Sequence, residues 1–492
     1  MNDLTASLRG LGRIYERLVA EARGRRIYLV GGSVRDALMG RPATDFDFAV
    51  SGSGLEFARA FAARVRGALV ILSEPDDEAR VVCRDLTFDF NGFADRTIES
   101  DIMRRDFTIN ALAVELTGDE PGELLDLVDG RRAIEHRLIR PVSDTSLAGD
   151  PLRLLRALRI ALELGFHIDE SVFEQGRAVS LSATAAERIG AEFLRIIESP
   201  DSYPLIRRLF DIGRLSEILP EFGPVFADPQ LREHSFKTYY KIEEIIGQPG
   251  FFGRIEPEWA SYFDRWGIEE PRDVPEPATD GRESEIVASP LPYRRGLLKL
   301  AGLLHDIAKP QTRFTNTDGE VHFYGHDSLG ARVVSRLGRD RLRLSRAQTE
   351  MLSTLTAEHM RLHLLATADD LSDRAIRRYW RDLGPEAFGL MILCVADGWA
   401  TAGRIGHLED TITRMVAQKR AEDAKSRIAR YVTGDDLIAL GMQPGPAFKV
   451  ILQELEDLQI EGHINSKEDG LEYLKTHLTT GGTFPPPAKG NA

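Results

Sequence analysis

Residues 28–50, YLVGGSVRDALMGRPATDFDFAV, decide the fold of the first part of the chain. An apolar run ends at the pair Gly31 and Gly32, and a helix-forming stretch follows directly. Glycine lets the backbone approach an anion closely, and the amide groups and dipole of a helix N-terminus favour negative charge. The second half alternates Asp45 and Asp47 with two phenylalanines. This alternation predicts a half-buried strand that carries both carboxylates on one face.

The two carboxylates indicate a metal site. Ionised carboxylates side by side repel each other unless a cation neutralises them, and Mg²⁺ prefers such oxygen ligands together with substrate phosphates. Asp89, in the candidate strand LTFDF, is a candidate third carboxylate from a neighbouring strand. Taken alone, the segment is also compatible with a plain turn beside an acidic strand.

The next polar cluster lies in DIMRRDFTINALAV, residues 101–114. Three charged residues, Arg104, Arg105 and Asp106, lie directly before an apolar run. Arginine pairs with triphosphate oxygens, and the Asn110 amide can hydrogen-bond a ribose hydroxyl. The alternative is a helix start with a charged first turn.

A third motif, GDPLRLLRALRIALELGF, occupies residues 149–166. Asp150 and Arg153 are three apart, which places them on one face of a helix. A carboxylate acceptor beside a guanidinium donor matches the amino donor and ring-nitrogen acceptor of cytosine and adenine, whereas guanine and uracil present the opposite order. Asp150 followed by Pro151 is also a good helix start, which alone would explain the aspartate.

Composition limits the class of protein. The 492 residues suggest two to four domains. No stretch approaches the roughly 18 uninterrupted apolar residues of a membrane helix, so we expect a cytoplasmic protein without a membrane partner. Cys83 and Cys394 lie far apart without metal-site spacing and are expected to be buried thiols in a reducing compartment.

The net charge of −14 argues against a uniformly basic nucleic-acid binder. Arginine is nevertheless concentrated in RLLRALR, residues 153–159, and in SRLGRDRLRLSR, residues 335–346. Each run is either a local anion-binding track or a solvated helix face.

A second constellation begins with LLKLAGLLHDIAKP, which places His305 and Asp306 together on an apolar helix. A lone histidine on such a face is usually a core residue, but an adjacent ionisable pair is costly there without a counter-ion. His234, His326, His359 and Asp397 are further candidates for a helical metal site.

The order of the first three motifs resembles the class II template-independent nucleotidyltransferases, which include tRNA CCA-adding enzymes and bacterial poly(A) polymerases. The resemblance covers roughly residues 25–200 through Gly31-Gly32-x-x-Arg35-Asp36, Asp45-x-Asp47, RRDFTINAL and DPLRLLRALR. It implies an α+β fold, with a polymerase-β-like head of mixed sheet and helices followed by an all-α neck, body and HD-like domain. The implied partners are tRNA, CTP and ATP.

The resemblance also implies residue roles. Asp45 and Asp47 would be the catalytic residues and would hold two Mg²⁺ ions, one at the RNA 3′-hydroxyl and one at the triphosphate. The implied nucleotide-binding residues are Gly31, Gly32, Ser33, Arg35, Arg105, Asp106, Asn110, Asp150, Arg153 and Arg156.

About residues 230–400 are similar to the HD phosphohydrolase domain. The resemblance implies that His234, His305, Asp306 and Asp397 are the core ligands of a divalent transition metal or Mg²⁺, and that His326 and His359 match additional histidines of some members. The alternative is a degenerate domain kept as a tRNA-binding helical body.

The expected domains are a catalytic head at 1–140, a helical neck that recognises the base and tRNA at 141–225, an HD-like domain at 226–405, a C-terminal helical tRNA-binding region at 406–480 and a disordered tail at 481–492. A Pro-rich insertion interrupts the HD-like part near 246–292.

Two features depart from the family pattern and bear on the product. Gly149 stands where an acidic residue usually precedes the Asp150 equivalent. Only NGFADRTIES, residues 91–100, separates LTFDF from DIMRRD, a loop as short as those of enzymes that add only two cytidines. We therefore expect a tRNA nucleotidyltransferase that adds C or CCA. A CC-adding-only or A-adding enzyme, a poly(A) polymerase, and a metal-dependent phosphohydrolase with a vestigial head are the alternatives, and the oligomeric state stays open.

Overall fold

A computed structural model of the chain describes residues 11–22, 24–93, 97–116, 121–256, 261–264, 293–368, 370–426, 430–460 and 462–479. Most of the Pro-rich insertion and the whole expected tail lie outside these residues. The start of the insertion is helical rather than a loop, because residues 251–255 form a short helix.

The head is built on one mixed seven-stranded sheet, in the order β3-β4-β5-β2-β1-β6-β7. Strands β2 and β5 run parallel, and the other neighbouring pairs are antiparallel. The strands are β1 (Ile27–Val30), β2 (Asp45–Val50), β3 (Ala68–Ser73), β4 (Glu78–Cys83), β5 (Leu86–Gly92), β6 (Leu112–Leu116) and β7 (Pro121–Asp126). The head helices are α1 (Arg13–Ala22), α2 (Gly32–Leu38), α3 (Gly54–Val65) and α4 (Ile98–Met103).

Along strand β2, side chains that pack in the core of the head alternate with the two aspartates of the candidate site. Phe46 and Phe48 are 3% and 1% exposed and pack with Phe88 of β5 under helix α3. Because side chains alternate along a strand, Asp45 and Asp47 take the opposite face. The predicted strand and its orientation are thus confirmed.

The remainder of the chain is mostly helical, as predicted. Its helices are α5 (Gly130–Glu135), α6 (Ser146–Gly149), α7 (Arg153–Leu164), α8 (Glu170–Ala178), α9 (Ala186–Glu198), α10 (Tyr203–Asp211), α11 (Leu215–Ile218), α12 (Gly223–Ala227), α13 (Pro229–Gly247), α14 (Phe251–Ile255), α15 (Ser261–Asp264), α16 (Arg294–Leu304), α17 (Lys309–Thr312), α18 (His326–Asp340), α19 (Arg346–Glu358), α20 (Arg361–Ala366), α21 (Asp373–Leu383), α22 (Ala387–Ala402), α23 (His407–Ser426), α24 (Gly434–Ala439), α25 (Pro446–Ile460) and α26 (Lys467–Thr479). Single 3₁₀ turns occupy Thr108–Asn110, Pro220–Phe222 and Gly384–Glu386. Two small ladders pair β8 (Leu138–Ile139) with β9 (His167–Ile168) and β10 (Phe314–Thr315) with β11 (Val321–His322).

The chain forms two compact units. The first comprises residues 1–249, 260–360 and 388–404 and contains the sheet and helix α16, which packs against α9, α13 and α19. The second comprises residues 250–259, 361–387 and 405–492, with its own core around Leu437, Ile451 and Leu474.

One described stretch, Asp373–Ala402, is long and apolar enough by length and composition to cross a membrane, but 67% of its apolar window is buried. Core helices of soluble proteins have the same property, so the stretch is weak support for a membrane span.

Candidate active site

The turn between β1 and α2 requires glycine at its first position. Gly31 has a φ of +69°, a conformation that side chains with a Cβ atom rarely adopt. A Cβ atom here would also lie 2.7 Å from Nη1 of Arg105. Gly31 therefore lets the Arg105 guanidinium approach the turn.

Ser33 fastens this turn to the acidic strand. Its hydroxyl accepts a hydrogen bond from the Asp47 amide at 2.8 Å and lies 3.2 Å from the Asp45 carbonyl oxygen, to which it donates. The side chain is buried. In this structure Ser33 positions the strand, and its expected role at a phosphate stays a prediction.

Asp47 lies beside a second carboxylate from a neighbouring strand. In the parallel register of β2 and β5, Asp47 is directly opposite Asp89, which places the third carboxylate beside the pair as expected. Burial raises the pKa of Asp47 to about 6; Asp89 and Asp45 act in the same direction, and Arg105 opposes them. A cation near these carboxylates would remove the cost of ionising Asp47, so the donor set fits a hard divalent metal.

Arg80 holds the third carboxylate. Its Nε and Nη2 atoms both lie 2.8 Å from the Asp89 oxygens, across the β4–β5 register. Sequence reasoning did not identify Arg80, although its position in an alternating strand opposite Asp89 would have been a signal once the strand pairing was known.

Three of the predicted residues, Arg35, Asn110 and Arg156, belong to one hydrogen-bonded network, whereas Arg105 donates separately to Asp101 at 2.9 Å. Arg35 donates to both Asp36 oxygens at 2.9 Å and to Oδ1 of Asn110 at 2.6 Å. The Asn110 amide donates to Asp106, and Arg156 donates to the other oxygen of Asp106 through two nitrogens, at 3.1 and 2.9 Å. Burial acts to raise the pKa of Asp106, but Arg156 and the hydrogen bonds outweigh it and lower the pKa.

The same network continues into the helical neck. Arg156 lies 3.8 Å from Glu192 of helix α9, and Arg159 contacts both Glu192 and Glu163. Glu163 is in turn 2.7 Å from Arg195. The floor of the cleft is thereby connected through charged pairs to helices α7 and α9.

The expected pairing of Asp150 with Arg153 is wrong for this structure. Asp150 has extended backbone angles and lies before helix α7, so the two do not share a helical face. Its carboxylate instead contacts Arg188 at 2.9 Å. Arg153 donates to the backbone carbonyl oxygens of Arg104 at 2.7 Å and Ser146 at 3.0 Å.

The glycine at position 149, where the family usually has an acidic residue, does not disturb the position of Arg153. A Cβ atom at Gly149 would meet nothing within 4 Å, and the carbonyl oxygens that fix Arg153 come from other residues. The middle of the short loop, residues 94–96, lies outside the described residues.

These elements enclose a cleft of about 280 Å³. Of the predicted nucleotide-binding and catalytic residues, the cleft is lined by Gly31, Gly32, Asp47, Arg105, Asp106, Asn110 and Arg156; Asp89, Leu72, Glu78 and Asn91 also line it. Asp45 is exposed beside it, and Ser33, Arg35, Asp150 and Arg153 are not among its lining residues.

A separate cluster of histidines and aspartates lies in the helical part of the first unit. Five segments supply its six members, which are His234, His305, Asp306, His326, His359 and Asp397. All six predicted residues are thus brought together.

The cluster consists of two groups that share Asp306. On one side, Nε2 of His234 lies 3.1 Å from Asp397, and Nε2 of His305 lies 3.2 Å from Asp306 Oδ2. On the other, Nε2 of His326 and His359 lie 3.5 and 3.6 Å from Asp306 Oδ1. This arrangement offers two three-residue sites bridged by one carboxylate.

Hydrogen bonds orient the histidines toward the cluster. Nδ1 of His305, His326 and His359 lies 2.7–2.9 Å from a backbone carbonyl oxygen, which leaves Nε2 facing the carboxylate. Burial lowers the pKa of His359 to about 4, so it is neutral and able to bind a metal at pH 7. Both Asp306 oxygens are buried, and neither accepts a well-directed hydrogen bond from a described residue.

Lys309 is a member of this cluster that sequence reasoning missed. Its Nζ atom lies 2.6 Å from Asp306 Oδ2, one helical turn further along HDIAK. Burial acts to raise the pKa of Asp306, but His305 and Lys309 outweigh this effect and hold the pKa well below the usual range of an aspartate. The carboxyl is therefore ionised at neutral pH.

Three domain families match the chain in succession. Residues 27–140 match the Poly A polymerase head domain, residues 165–225 match a probable RNA and SrmB-binding site of polymerase A, and residues 231–402 match the HD domain.

Curated relatives and solved structures are similar along nearly the whole chain. The A-adding tRNA nucleotidyltransferase of Deinococcus radiodurans is 29% identical over 91% of this chain and 94% of the relative. The CC-adding tRNA nucleotidyltransferase of Geobacter sulfurreducens is 29% identical over 92% of each. The structure of the Thermotoga maritima CCA-adding enzyme complexed with tRNA has a TM-score of 0.61 at 20% identity, over 95% of this chain and 96% of that chain. At this identity the structural likeness shows the fold.

Proposed function

Since the chain belongs to the family of CCA-adding enzymes and bacterial poly(A) polymerases that carry an HD domain, we propose that its head transfers nucleotides from CTP or ATP to the 3′ end of tRNA and releases pyrophosphate. The observation that carries the proposal is the cleft in which Asp47 and Asp89 face Arg105 below the glycine turn. It combines a divalent-cation site with fixed positive charge for a triphosphate.

We assign the metal site to Asp45 and Asp47, with Asp89 as the neighbouring carboxylate. When bound there, two Mg²⁺ ions would activate the RNA 3′-hydroxyl and stabilise the leaving pyrophosphate. The raised pKa of Asp47 supports this assignment, because it arises mainly from burial, which Arg105 and Arg156 do not offset and a bound cation would.

The other residues of the cleft bind and orient. The amide groups after Gly31 and the Arg105 guanidinium would contact the triphosphate, and the network of Asn110 and Asp106 would fix the ribose. Arg156 neutralises buried Asp106 and keeps this surface rigid. Asp150 and Arg153 are proposed as base-recognition residues that would have to leave their present partners.

The relatives do not distinguish between the products. An A-adding and a CC-adding enzyme are equally similar to this chain, at 29% identity each. Incubation with tRNA that lacks CCA and, in parallel, with tRNA that ends in CC separates the alternatives, when CTP and ATP are offered separately and together and products are sized by nucleotide. A CC-adding enzyme adds two cytidines, an A-adding enzyme one terminal adenosine, and a CCA-adding enzyme all three nucleotides. A poly(A) polymerase adds a long A tract. The absence of any incorporation would refute the proposal, and Asp45→Ala/Asp47→Ala is the inactive control.

The proposed division of labour follows the expected boundaries, with the catalytic head to about residue 140, the neck to about 225, the HD-like domain to about 405 and a tRNA-binding C-terminal region. We also place the reaction in the cytoplasm, because its tRNA substrate is processed there and the buried thiols of Cys83 and Cys394 are not joined in a disulfide.

A second activity is favoured by the bridged cluster at Asp306. We propose that it binds divalent metal and hydrolyses phosphoesters, since such a metal supplies a hydroxide nucleophile at neutral pH. Lys309 would bind the phosphate beside Asp306. Metal content by mass spectrometry and hydrolysis of bis(p-nitrophenyl) phosphate with Mg²⁺, Mn²⁺, Co²⁺ and Ni²⁺ test this proposal.

Asp306→Ala should lose both bound metal and hydrolysis while CTP incorporation persists. Asp340→Ala, at an exposed helix end, is the matched control and should retain both. Equal metal content in the Asp306→Ala and unmodified proteins would refute the metal site.

A further inference from the structure

Strand β2, which carries Asp45 and Asp47, divides the cleft of the head into two sides. On one side the glycine turn follows β1, and Arg105 and Asn110 precede β6; these groups serve the incoming nucleotide in the function proposed above. On the other side β5, β4 and β3 follow in order. Apart from Asp89, the cleft residues on this second side have no role so far, and they are Leu72, Glu78 and Asn91.

Glu78 and Asn91 form a polar pair on this second side. They are directly opposite each other in the register of β4 and β5, and Nδ2 of Asn91 donates to Oε1 of Glu78 at 2.7 Å. Because side chains alternate along a strand, Asn91 lies on the same face as Asp89 and roughly 7 Å further along β5. The pair is therefore the next polar group beyond the carboxylates of the candidate metal site.

The pair can bind a hydroxyl group while it stays intact. A carboxylate has two acceptor oxygens and a side-chain amide has two N–H groups, and the bond between Asn91 and Glu78 uses one of each. A hydroxyl donates and accepts at the same time, so it can donate to Glu78 and accept from Asn91. Burial raises the pKa of Glu78, and Asn91 opposes this effect. A hydroxyl that donates to Glu78 would act in the same direction as Asn91.

Leu72 adds an apolar surface beside the polar pair. It lies in β3, the last strand on this side of the sheet, and is 46% exposed although it lines the cleft. Val70 and Val82, which are 46% and 37% exposed, lie on the same face of the sheet as Arg80 and continue this surface. Apolar side chains with a few placed polar groups are typical of a ligand site, so we expect a ligand with both characters.

The terminal nucleotide of the RNA acceptor has both characters. Its ribose and base have apolar faces, and its 2′-hydroxyl is a donor and acceptor that every RNA end carries, whatever the base. A pair that contacted a base edge would have to change its partner as the terminal base changes during successive additions. The acceptor must also reach Asp47 and Asp89 from the side that the incoming nucleotide does not occupy, and Glu78, Asn91 and Leu72 lie on that side.

We propose that Glu78 and Asn91 bind the 2′-hydroxyl of the terminal ribose of the acceptor, and that Leu72 packs against the same nucleotide. The inference rests on the transferase activity proposed above. Because the 2′- and 3′-hydroxyls are adjacent on the ribose, holding the first positions the second beside Asp47 and Asp89. The same contacts select an RNA end over a DNA end, since the 2′-hydroxyl is the group that distinguishes them.

The unmodified protein provides the first test. The acceptors are tRNA lacking CCA and tRNA ending in CC, each prepared with either ribose or 2′-deoxyribose at its terminal nucleotide. For the acceptor that the protein extends, kcat/KM should be roughly tenfold higher for the ribose end, as expected for the loss of hydrogen bonds to a charged group. Equal values for the two ends would overturn the inference. No incorporation into any acceptor would instead refute the transferase proposal.

Variants show whether the pair causes this preference. Asn91→Ala removes the amide, and Glu78→Gln presents an N–H group where the carboxylate has its second oxygen. Each should lower kcat/KM roughly tenfold for the ribose end and leave it within twofold for the deoxyribose end. Glu74→Gln, an exposed residue in the turn between β3 and β4, is the matched control and should change neither.

Two results with these variants would overturn the inference. A preference for the ribose end that persists in both would show that it arises from the reactivity of the two ends. An equal loss for both ends would show that the pair only supports the structure of the cleft. Selectivity for the incoming nucleotide over its 2′-deoxy form should stay within twofold, because that ribose lies on the other side of β2. Loss of this selectivity, with the acceptor preference retained, would assign the pair to the incoming nucleotide and also overturn the inference.

Leu72 is tested with both ends. Leu72→Ala should raise KM roughly fivefold for the ribose and deoxyribose ends alike, since an apolar contact does not involve the 2′-hydroxyl. Ile71→Ala is the matched control, because Ile71 is the adjacent residue of the strand, is 41% exposed and is not among the residues that line the cleft. An unchanged KM in Leu72→Ala, or an equal rise in Ile71→Ala, would overturn the placement of the acceptor beside β3.

Discussion

Replacing Arg156 by methionine tests whether one buried ion pair supports both the cleft and its stability. Two nitrogens of Arg156 donate to one oxygen of Asp106, whose side chain is 9% exposed. Arg156→Met keeps most of the side-chain volume but leaves the carboxylate without its positive partner. Removing one member of a buried pair costs about 3–5 kcal/mol. Because Arg156 itself is 38% exposed and Asn110 still contacts Asp106, we expect about 2–3 kcal/mol here.

The sign of the pH dependence follows from Asp106. Its folded-state pKa is lowered, so its contribution to stability is present above the unfolded-state pKa of about 3.9 and disappears as the pH falls through the folded value. In Arg156→Met the same carboxyl is buried without a cation, which raises its pKa. The difference in stability between the two proteins should therefore be largest at pH 8 and narrow toward pH 5.

Thermal unfolding measures the effect. At roughly 2–4 °C for each kcal/mol in a unit of this size, Arg156→Met should lower Tm by about 5–10 °C at pH 8. Asp106→Asn/Arg156→Met removes the buried charge and should recover more than half of that loss, without recovering CTP incorporation. Arg195→Met, at the exposed end of the same network, should cost less than about 1 kcal/mol. A Tm for Arg156→Met within 1 °C of the unmodified protein, or a double variant as unstable as the single one, would refute the reasoning.

Three further substitutions test the cleft. Asp47→Asn should abolish transfer yet stabilise the protein in EDTA at pH 8 by about 2 kcal/mol, seen as a higher Tm. The folded-state pKa of Asp47 is about 6 and the unfolded-state pKa about 3.9, so the metal-free unmodified protein loses stability as the pH rises from about 4 to 6 and stays destabilised above that. The gain from the substitution should therefore vanish below about pH 4, and a constant gain at all pH values would contradict the prediction. Gly31→Ala should lower the free energy of unfolding by about 1 kcal/mol or more, because its Cβ atom is strained at a φ of +69°. The same atom displaces Arg105, so KM for CTP should rise at least tenfold. An unchanged KM in steady-state assays would contradict this prediction. Gly149→Glu should leave Tm unchanged and keep the rate of CTP incorporation within twofold of the unmodified protein. Its side chain enters open space, and Arg153 is held by backbone carbonyl oxygens. A tenfold change in the rate of CTP incorporation would contradict this prediction.

Local sequence predicted the parts of the site that lie within single segments. The glycine pair before a helix and the alternation of Asp45 and Asp47 with buried phenylalanines follow from backbone sterics and strand periodicity, which act over a few residues. The helical remainder followed from apolar periodicity, and the adjacent pair His305 and Asp306 indicated a buried cluster because its burial is costly without partners.

The geometry between segments was fixed only by the tertiary structure. Asp89 lies beside Asp47 because β2 and β5 pair in parallel register, and periodicity within either strand does not specify that register. The expected pair of Asp150 and Arg153 failed for the same reason: carbonyl oxygens and Arg188 from other segments compete for these side chains.

The sequence by itself therefore determined the acidic strand, which depends on short-range spacing. The resemblance to known families, carried by the order of the motifs along the chain, indicated the head fold and the histidines and aspartates that meet in the cluster. The tertiary structure decided that Asp306 joins two groups of histidines and that Asp106 is neutralised by Arg156 from the neck. Both arrangements bring together side chains from distant segments. The packing of whole helices against each other decides whether such side chains come within hydrogen-bonding distance.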